Sequence, residues 1–376
     1  MPRSATPTLL VASAQVLGGA EQILLDAATR LDGVALACPP GPLADAAATA
    51  GVRVLPIPPQ PLAFRGGASV RAAAARAAGA QARAVRRVLE ALRPEVVAAW
   101  SLRPAFAAVP ALAGLEPAPA LVMQLNDFMP SAPLRAAAHA AARRAQRIAA
   151  PSGAVITDFA PRGALARRTR VVPPGTDLVR FAALPLAPDP PPRVLVLGAI
   201  VGWKRPDLAL EAAAAALPAL PGLRLTVAGP VLGADGEATL ARLRARADAP
   251  DLRGRVELRP GRHDAAALLR EATCLLHCAP REPFGMVLVE AMAAGRPVVA
   301  PDAGGPAEIA DGACGRRYRA GDPGAAAAAL QSLLASRGTA AAAGAAGRAR
   351  AAERYGADAW AARLGAVLDE ARSAPR

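Results

Sequence analysis

The chain has 376 residues, 53% of them hydrophobic, with 44 basic against 30 acidic side chains and a formal charge of +14. That length is more than one hydrophobic core fills and implies two domains, while no stretch of roughly 18 apolar residues is available to span a bilayer. Aromatic residues make up 3% of the chain, too few to stack on bases, so the charge is not that of a nucleic-acid binder.

The Met-Pro-Arg start runs straight into an apolar strand without a cleavage signal, and the expected location is cytoplasmic. Cys38, Cys274, Cys278 and Cys314 form neither a Cys-x-x-Cys pair nor a regular framework, so free buried thiols are expected and no metal site emerges. Residues 8–12 read as a buried strand, followed by a turn at Gly18 and Gly19 and an apolar helical pattern, Ile23, Leu24, Ala27 and Leu31. Strand, glycine turn and helix let a phosphate approach the backbone; a plain tight turn has the same sequence, and the dinucleotide fingerprint is absent. Further strand-like runs at 34–38, 52–57, 96–100, 121–125 and 148–151 alternate with helix-like or loop sequence, the pattern of a parallel sheet covered by helices.

The longest helix expected in this half, 69–93, projects Arg71, Arg76, Arg83, Arg86, Arg87 and Arg93 from an alanine-rich body. Its face is either solvated or turned toward an acceptor or a membrane. Residues 1–185 carry 20 arginines against 10 acids, a surplus that suits an anionic membrane surface as a peripheral partner, or an acidic acceptor. The strand at 121–125 ends at Asn126, Asp127 and Phe128, where ligands of parallel sheets gather, although Asp127 could equally cap the next turn. Asn126 is the only asparagine of the chain and Lys204 its only lysine. In so biased a composition each points to a chemical reason: an amide that both donates and accepts, and a compact point charge.

Residues 171–177 give a strand, a turn and a polar end, and the proline-rich stretch 185–192 reads as a stiff linker. Alternation then restarts: strand 194–197, helix 206–217, strand 223–228, helix 237–247, strand 256–258, helix 264–271, strand 274–277, helix 286–294, strand 298–301. Residues 324–336 and 339–372 are helical, broken at Tyr355 and Gly356. The expected fold class is α/β, with a doubly wound parallel-sheet domain at 1–185, a second at 186–356 facing it across a central cleft, and a last helix, 357–376, crossing back to the first.

Residues 281–297 concentrate the chemistry. Pro283 and Gly285 switch the pattern from loop to helix, and Gly295 and Pro297 end it. Glu282 therefore falls on the loop and Glu290 in the helix, with the N–H groups of Met286, Val287 and Leu288 expected without intrahelical partners at the positive end of the dipole. Such an end attracts phosphate, and a carboxylate on either side can accept hydrogen bonds from sugar hydroxyls.

Gly-Gly-Ala-Glu at 18–21, Val-Pro-Pro-Gly-Thr-Asp at 172–177, Trp-Lys-Arg-Pro-Asp at 203–207, Glu-Pro-Phe-Gly-Met-Val-Leu-Val-Glu at 282–290 and Ala-Gly-Gly-Pro-Ala-Glu at 303–308 together resemble the retaining glycosyltransferases of family 4, which have the GT-B fold of two Rossmann-like domains. The resemblance implies a metal-independent transfer of a hexose from a UDP- or GDP-linked sugar to a small-molecule, glycan or lipid-linked acceptor. The first domain would take the acceptor and the second the donor. Glu290 would hold the ribose, Glu282 the hexose, and Lys204, with Arg205 beside it, the departing diphosphate. The backbone from Phe284 and Gly285 through Met286, Val287 and Leu288 would meet phosphates or sugar, and Gly18 and Gly19 would close on the pyrophosphate. No Asp-x-Asp motif is present. Two positions depart from the family pattern: Ala199 stands where a basic residue is usual, and Asn126 where histidine is common. Asn126 can hydrogen-bond a donor hydroxyl but cannot act as a base. These departures leave a donor-binding protein with lost or altered turnover, or a nucleotide-sugar epimerase, as the alternatives to a transferase.

Overall fold

Short runs of aliphatic and β-branched residues form the central strands, which are buried on both faces, while the edge strands are partly exposed. The computed structural model describes residues 8–15, 17–59, 68–160, 162–182 and 191–375. The linker expected at 185–192 lies largely outside them. Seven strands make the first sheet: β1 (Thr8–Val11), β2 (Val34–Cys38), β3 (Arg53–Pro56), β4 (Val96–Trp100), β5 (Ala120–Gln124), β6 (Arg147–Ala150) and β7 (Thr169–Val171), in the order β3-β2-β1-β4-β5-β6-β7. Six make the second: β8 (Arg193–Leu197), β9 (Arg224–Gly229), β10 (Val256–Pro260), β11 (Cys274–Leu276), β12 (Val298–Pro301) and β13 (Gly315–Tyr318), in the order β10-β9-β8-β11-β12-β13. Every pairing in both is parallel.

In each sheet the strand order reverses once, between β1 and β4 in the first and between β8 and β11 in the second. Loops leaving the carboxyl ends of two such neighbours run to opposite faces and open a crevice between them. This topology gives each unit its own candidate site.

The chain divides into a unit of Met1–Pro174 with Asp358–Arg376 and a unit of Gly175–Ala357. The division comes ahead of the proline-rich stretch because residues after Pro174 already belong to the second core. Thr176 pairs with Gly356, through Thr176 N–H to Tyr355 O at 2.8 Å and Ala357 N–H to Thr176 O at 3.1 Å, and Phe181 is buried with Leu288 and Met292. The backbones pass so closely that a Cβ on Gly175 would lie 2.5 Å from Gly356 O, which accounts for the glycine in the 172–177 segment. Helix Ala357–Arg372 packs on the first sheet, where Trp360, Leu364 and Leu368 share a core with Leu24, Leu36 and Val122. Among the described residues no helix is long and apolar enough to cross a membrane.

Trp360 is the largest fully enclosed side chain of the first unit, 2% exposed. Trp360→Ala is expected to cost that unit about 3–5 kcal/mol, as large aromatic truncations in a core do. Hydrogen exchange at the β1 and β4 amides is the readout: protection equal to wild type would show that the C-terminal helix is not part of this core.

Candidate active site

The second crevice is bounded by the loop after β8 and the loop after β11. After β8 the chain makes a short 3-10 turn, Gly202–Lys204. Asp235 fixes it by accepting the Gly202 N–H at 2.7 Å, and Arg205, left-handed at φ 52°, closes it by donating its N–H to Gly202 O. Pro206 opens the next helix, a position where its missing N–H costs nothing. The Arg205 guanidinium is taken up by Asp207, both carboxylate oxygens lying 3.0 Å from Nε, and that pairing raises its already high pKa. Lys204 is left to reach across: its Nζ lies 4.3 Å from the centre of the Trp203 ring and hydrogen-bonds Glu282 Oε2.

Glu282 is held from behind by backbone. Its carbonyl accepts the Gly305 N–H at 2.9 Å; a Cβ on Gly304 would stand 2.6 Å from that same oxygen, and one on Gly305 2.4 Å from Phe284 Cα. The two glycines of the 303–308 segment thus let helix Gly304–Ile309 press against residues 282–284. Phe284 is buried edge-on against Tyr355, with ring centres 5.9 Å apart. Gly285, at φ 107°, takes the left-handed turn into helix Met286–Ala293. One expectation is corrected here: the Leu288 N–H is not open to a ligand, because it donates to Gly285 O at 2.9 Å. Among the described residues, Met286 and Val287 keep their N–H groups at the head of the helix, ahead of that bond.

Sequence reasoning reads His277 as a strand-end core residue. It is buried at the end of β11, with Nε2 3.6 Å from Glu282 Oε2, and its carbonyl accepts the Tyr318 hydroxyl at 2.8 Å. The signal was a distance between residues on different elements, which spacing along the chain does not carry. His263 is a loop residue whose Nε2 lies 3.0 Å from Arg259 O, and His139 packs against Phe159.

In the first unit a cavity of about 460 Å³ lies at the carboxyl ends of β1, β4 and β5, lined among others by Ser13, Glu21, Trp100, Ser101, Arg103 and Asn126. Asn126 is half-buried and its Oδ1 accepts from Gln124 Nε2 at 3.2 Å. Gly18 donates its N–H to Glu21 Oε2 at 3.1 Å, capping helix Gly19–Arg30. Around Gly19 nothing lies within 4 Å of an added Cβ, so packing does not require a glycine there. Ser101, at φ 106°, is a strained non-glycine residue on the cavity wall, and strain of this kind gathers at functional sites. No composition or periodicity signal marks it.

Two family models match, a Glycosyltransferase Family 4 model over residues 17–180 and a Glycosyl transferases group 1 model over residues 183–350. The chain belongs to glycosyltransferase family 4. Its two Rossmann-like units are those of the GT-B fold. A D-inositol 3-phosphate glycosyltransferase of Streptomyces coelicolor is 33% identical over 186 residues, 42% of this chain and 40% of that protein. One from Mycobacterium tuberculosis is 41% identical over 166 residues, 41% of this chain and 33% of that protein. The match therefore spans two fifths or less of these relatives. Among solved structures, Anabaena Alr3699/HepE in complex with UDP and glucose has a TM-score of 0.80 at 21% identity, covering 97% of this chain and 99% of that one. Sucrose-phosphate synthase from Thermosynechococcus elongatus has a TM-score of 0.77 at 20% identity, covering 97% and 98%. At these identities the likeness is one of fold.

The two acids of the second unit differ in their surroundings. Glu282 is charge-paired with Lys204. Glu290 has no side-chain partner among the described residues, and burial pushes its carboxyl up to about 7, with the Arg180 guanidinium pulling the other way. His277 is shifted oppositely: burial lowers it to about 4, the Glu282 charge opposes that shift and Lys204 adds to it. Among the described residues, no group of three or more His, Cys, Asp and Glu side chains is arranged to hold a metal ion.

A carboxyl raised in the folded state leaves the native protein holding a proton that the unfolded chain has lost, so stability falls as pH rises from 4.5 through 7. His277 has the opposite slope, between 4 and 6.5, and cancels when variant and parent are compared at one pH. Glu290→Gln is therefore expected to match the parent near pH 4.5 and to exceed it by about 2–3 kcal/mol at pH 8. Urea unfolding at the two values checks this; a difference independent of pH would show that the carboxyl ionises without cost.

Proposed function

We propose that this glycosyltransferase moves a hexose from a nucleotide-diphosphate sugar to an acceptor hydroxyl, with retention at the anomeric carbon and without a metal. The observation that carries the reading is the pairing of the chain's single lysine with Glu282 at the β8/β11 crevice. Glu290 stands eight positions further on, with no side-chain hydrogen-bond partner among the described residues. Lys204 would neutralise the β-phosphate as the bond from the anomeric carbon to the phosphate oxygen breaks. The acceptor oxygen would bond to the same face of that carbon, and its proton would pass to the departing phosphate oxygen. A charge held in place before the reaction needs no reorganisation during it, and one well-placed group of this kind is worth roughly 3 kcal/mol. Glu282 would hold hexose hydroxyls, and Glu290 the ribose, whose hydroxyls would supply the hydrogen bonds its carboxylate lacks.

For the acceptor, the first-unit cavity offers Arg103, Asn126 and Ser101, and residues 1–185 carry most of the positive surplus. We infer an acceptor with negative charge, such as the phosphorylated polyol that the curated relatives are named for, or a lipid headgroup met at the cytoplasmic face of an anionic membrane. A second reading, donor binding without turnover, has one observation in its favour: Ala199 is not basic, and the Arg205 guanidinium that could stand in for it is committed to Asp207.

Lys204→Ala is expected to lower kcat about 100-fold with a smaller change in donor affinity, and EDTA should leave the wild-type rate unchanged. The assay follows nucleotide release and sugar transfer separately, with UDP- and GDP-linked sugars and with inositol 3-phosphate and inositol among the acceptors. Tight donor binding with neither release nor transfer would favour the second reading, and a wild-type rate in the Lys204→Ala enzyme would remove the lysine from the chemistry.

A further inference from the structure

Glu282 Oε2 faces two nitrogens: Lys204 Nζ, which hydrogen-bonds it, and His277 Nε2 at 3.6 Å. Oε1 has no partner among the described residues. His277 is 5% exposed, and its Nε2 is a buried polar atom with no hydrogen-bond partner among the described residues. An imidazole used only to fill the core would be replaced at a gain by an apolar side chain, since an unsatisfied buried nitrogen is costly. Backbone constraints fix where this ring stands. The Tyr318 hydroxyl holds the His277 carbonyl, and the His277 N–H donates to Val299 O at 2.8 Å.

We propose that His277 is a positioning residue for the donor sugar. Its ring and Lys204 together confine Oε2 of Glu282, so that Oε1 is the oxygen presented to the hexose hydroxyls. The 3.6 Å separation is longer than a hydrogen bond. A small movement of the Glu282 side chain, as Lys204 turns toward a bound diphosphate, brings Oε2 within reach of Nε2–H. The ring then takes over from the lysine in holding the acid, and the acid keeps its orientation while the lysine serves the phosphate. The neutral ring suits this exchange, because a donor without charge holds Oε2 without competing with Lys204 for the diphosphate. The inference rests on the reading of Glu282 as the acid that grips the sugar.

The test measures the gain in affinity that the sugar adds to the nucleotide, by calorimetry with UDP against UDP-glucose and with GDP against GDP-mannose. It compares the full-length wild type with Glu282→Gln, His277→Leu and His277→Gln. His277→Leu is expected to bind the bare nucleotide within twofold of wild type, to lose about tenfold of the sugar-dependent gain, and to lower kcat. His277→Gln, which keeps an N–H, should recover part of both and covers the case in which leucine is not accommodated in the fold. A full sugar-dependent gain in both His277 variants, with the gain lost in Glu282→Gln, overturns the role of His277 alone. A gain untouched by Glu282→Gln, or absent from the wild type with both pairs, overturns the reading of Glu282 and this inference with it.

Discussion

The contact on which the second unit's site depends is the ion pair of Lys204 and Glu282. Two loops that leave neighbouring strands toward opposite faces have no hydrogen-bond ladder between them, so something other than the sheet must set their separation. The pair does so, and both partners are largely withdrawn from water, with side chains 24% and 12% exposed. A partly desolvated pair gains little net stability, whereas removing one partner leaves the other uncompensated. The pair is therefore better understood as a device for placement. The glycines around it have the same purpose: Gly304 and Gly305 allow a second helix to press on the Glu282 backbone, and Gly285 turns the chain into the helix that carries Glu290.

Much of this arrangement was legible in the sequence because the composition is so biased. Against 43 arginines a single lysine stands out, and it is the residue that the structure brings to Glu282. The switch from loop to helix at Pro283 and Gly285, and the alternation of strands and helices, follow from local rules that survive folding. The parts that were not legible depend on close approach between distant segments. β13, Gly-Arg-Arg-Tyr, has no strand-like composition; it is an edge strand paired only with β12, and Gly315 is there because a Cβ would lie 2.1 Å from Val298 O. Helices Leu102–Ala111 and Ala132–Ala142 bury mainly alanines; in the second, alanine also fills the exposed face, so no apolar stripe stands out there. The Leu288 N–H was misjudged because the left-handed Gly285 tightens the first turn and supplies an acceptor three residues back.

The same limit hid His277 and Ser101. A buried histidine at a strand end reads as core, and nothing in the chain's spacing says that Glu282 returns to within 3.6 Å of its ring. The φ of 106° at Ser101 appears only once β4 and β5 are paired and its N–H is drawn to Gln124 O. Residues of this kind are where local preference and tertiary demand disagree, and such disagreement concentrates at sites of function.

Glu282 and Glu290 show how one short helix can carry two acids of different character. Glu282 sits before the helix, where a lysine from another loop reaches it, and its carboxylate is compensated in the free protein. Glu290 sits one turn inside the helix, half-buried, and burial raises its pKa while the Arg180 guanidinium pulls the other way. An acid of that kind is an acceptor awaiting donors, because two hydroxyls that hydrogen-bond the ionised form restore what burial removed. An uncompensated carboxyl costs the fold stability at neutral pH, so its presence needs a reason beyond the fold itself. On the proposed reading, a ligand with paired hydroxyls on one side and a diphosphate directed to Lys204 on the other would supply that reason for both acids at once.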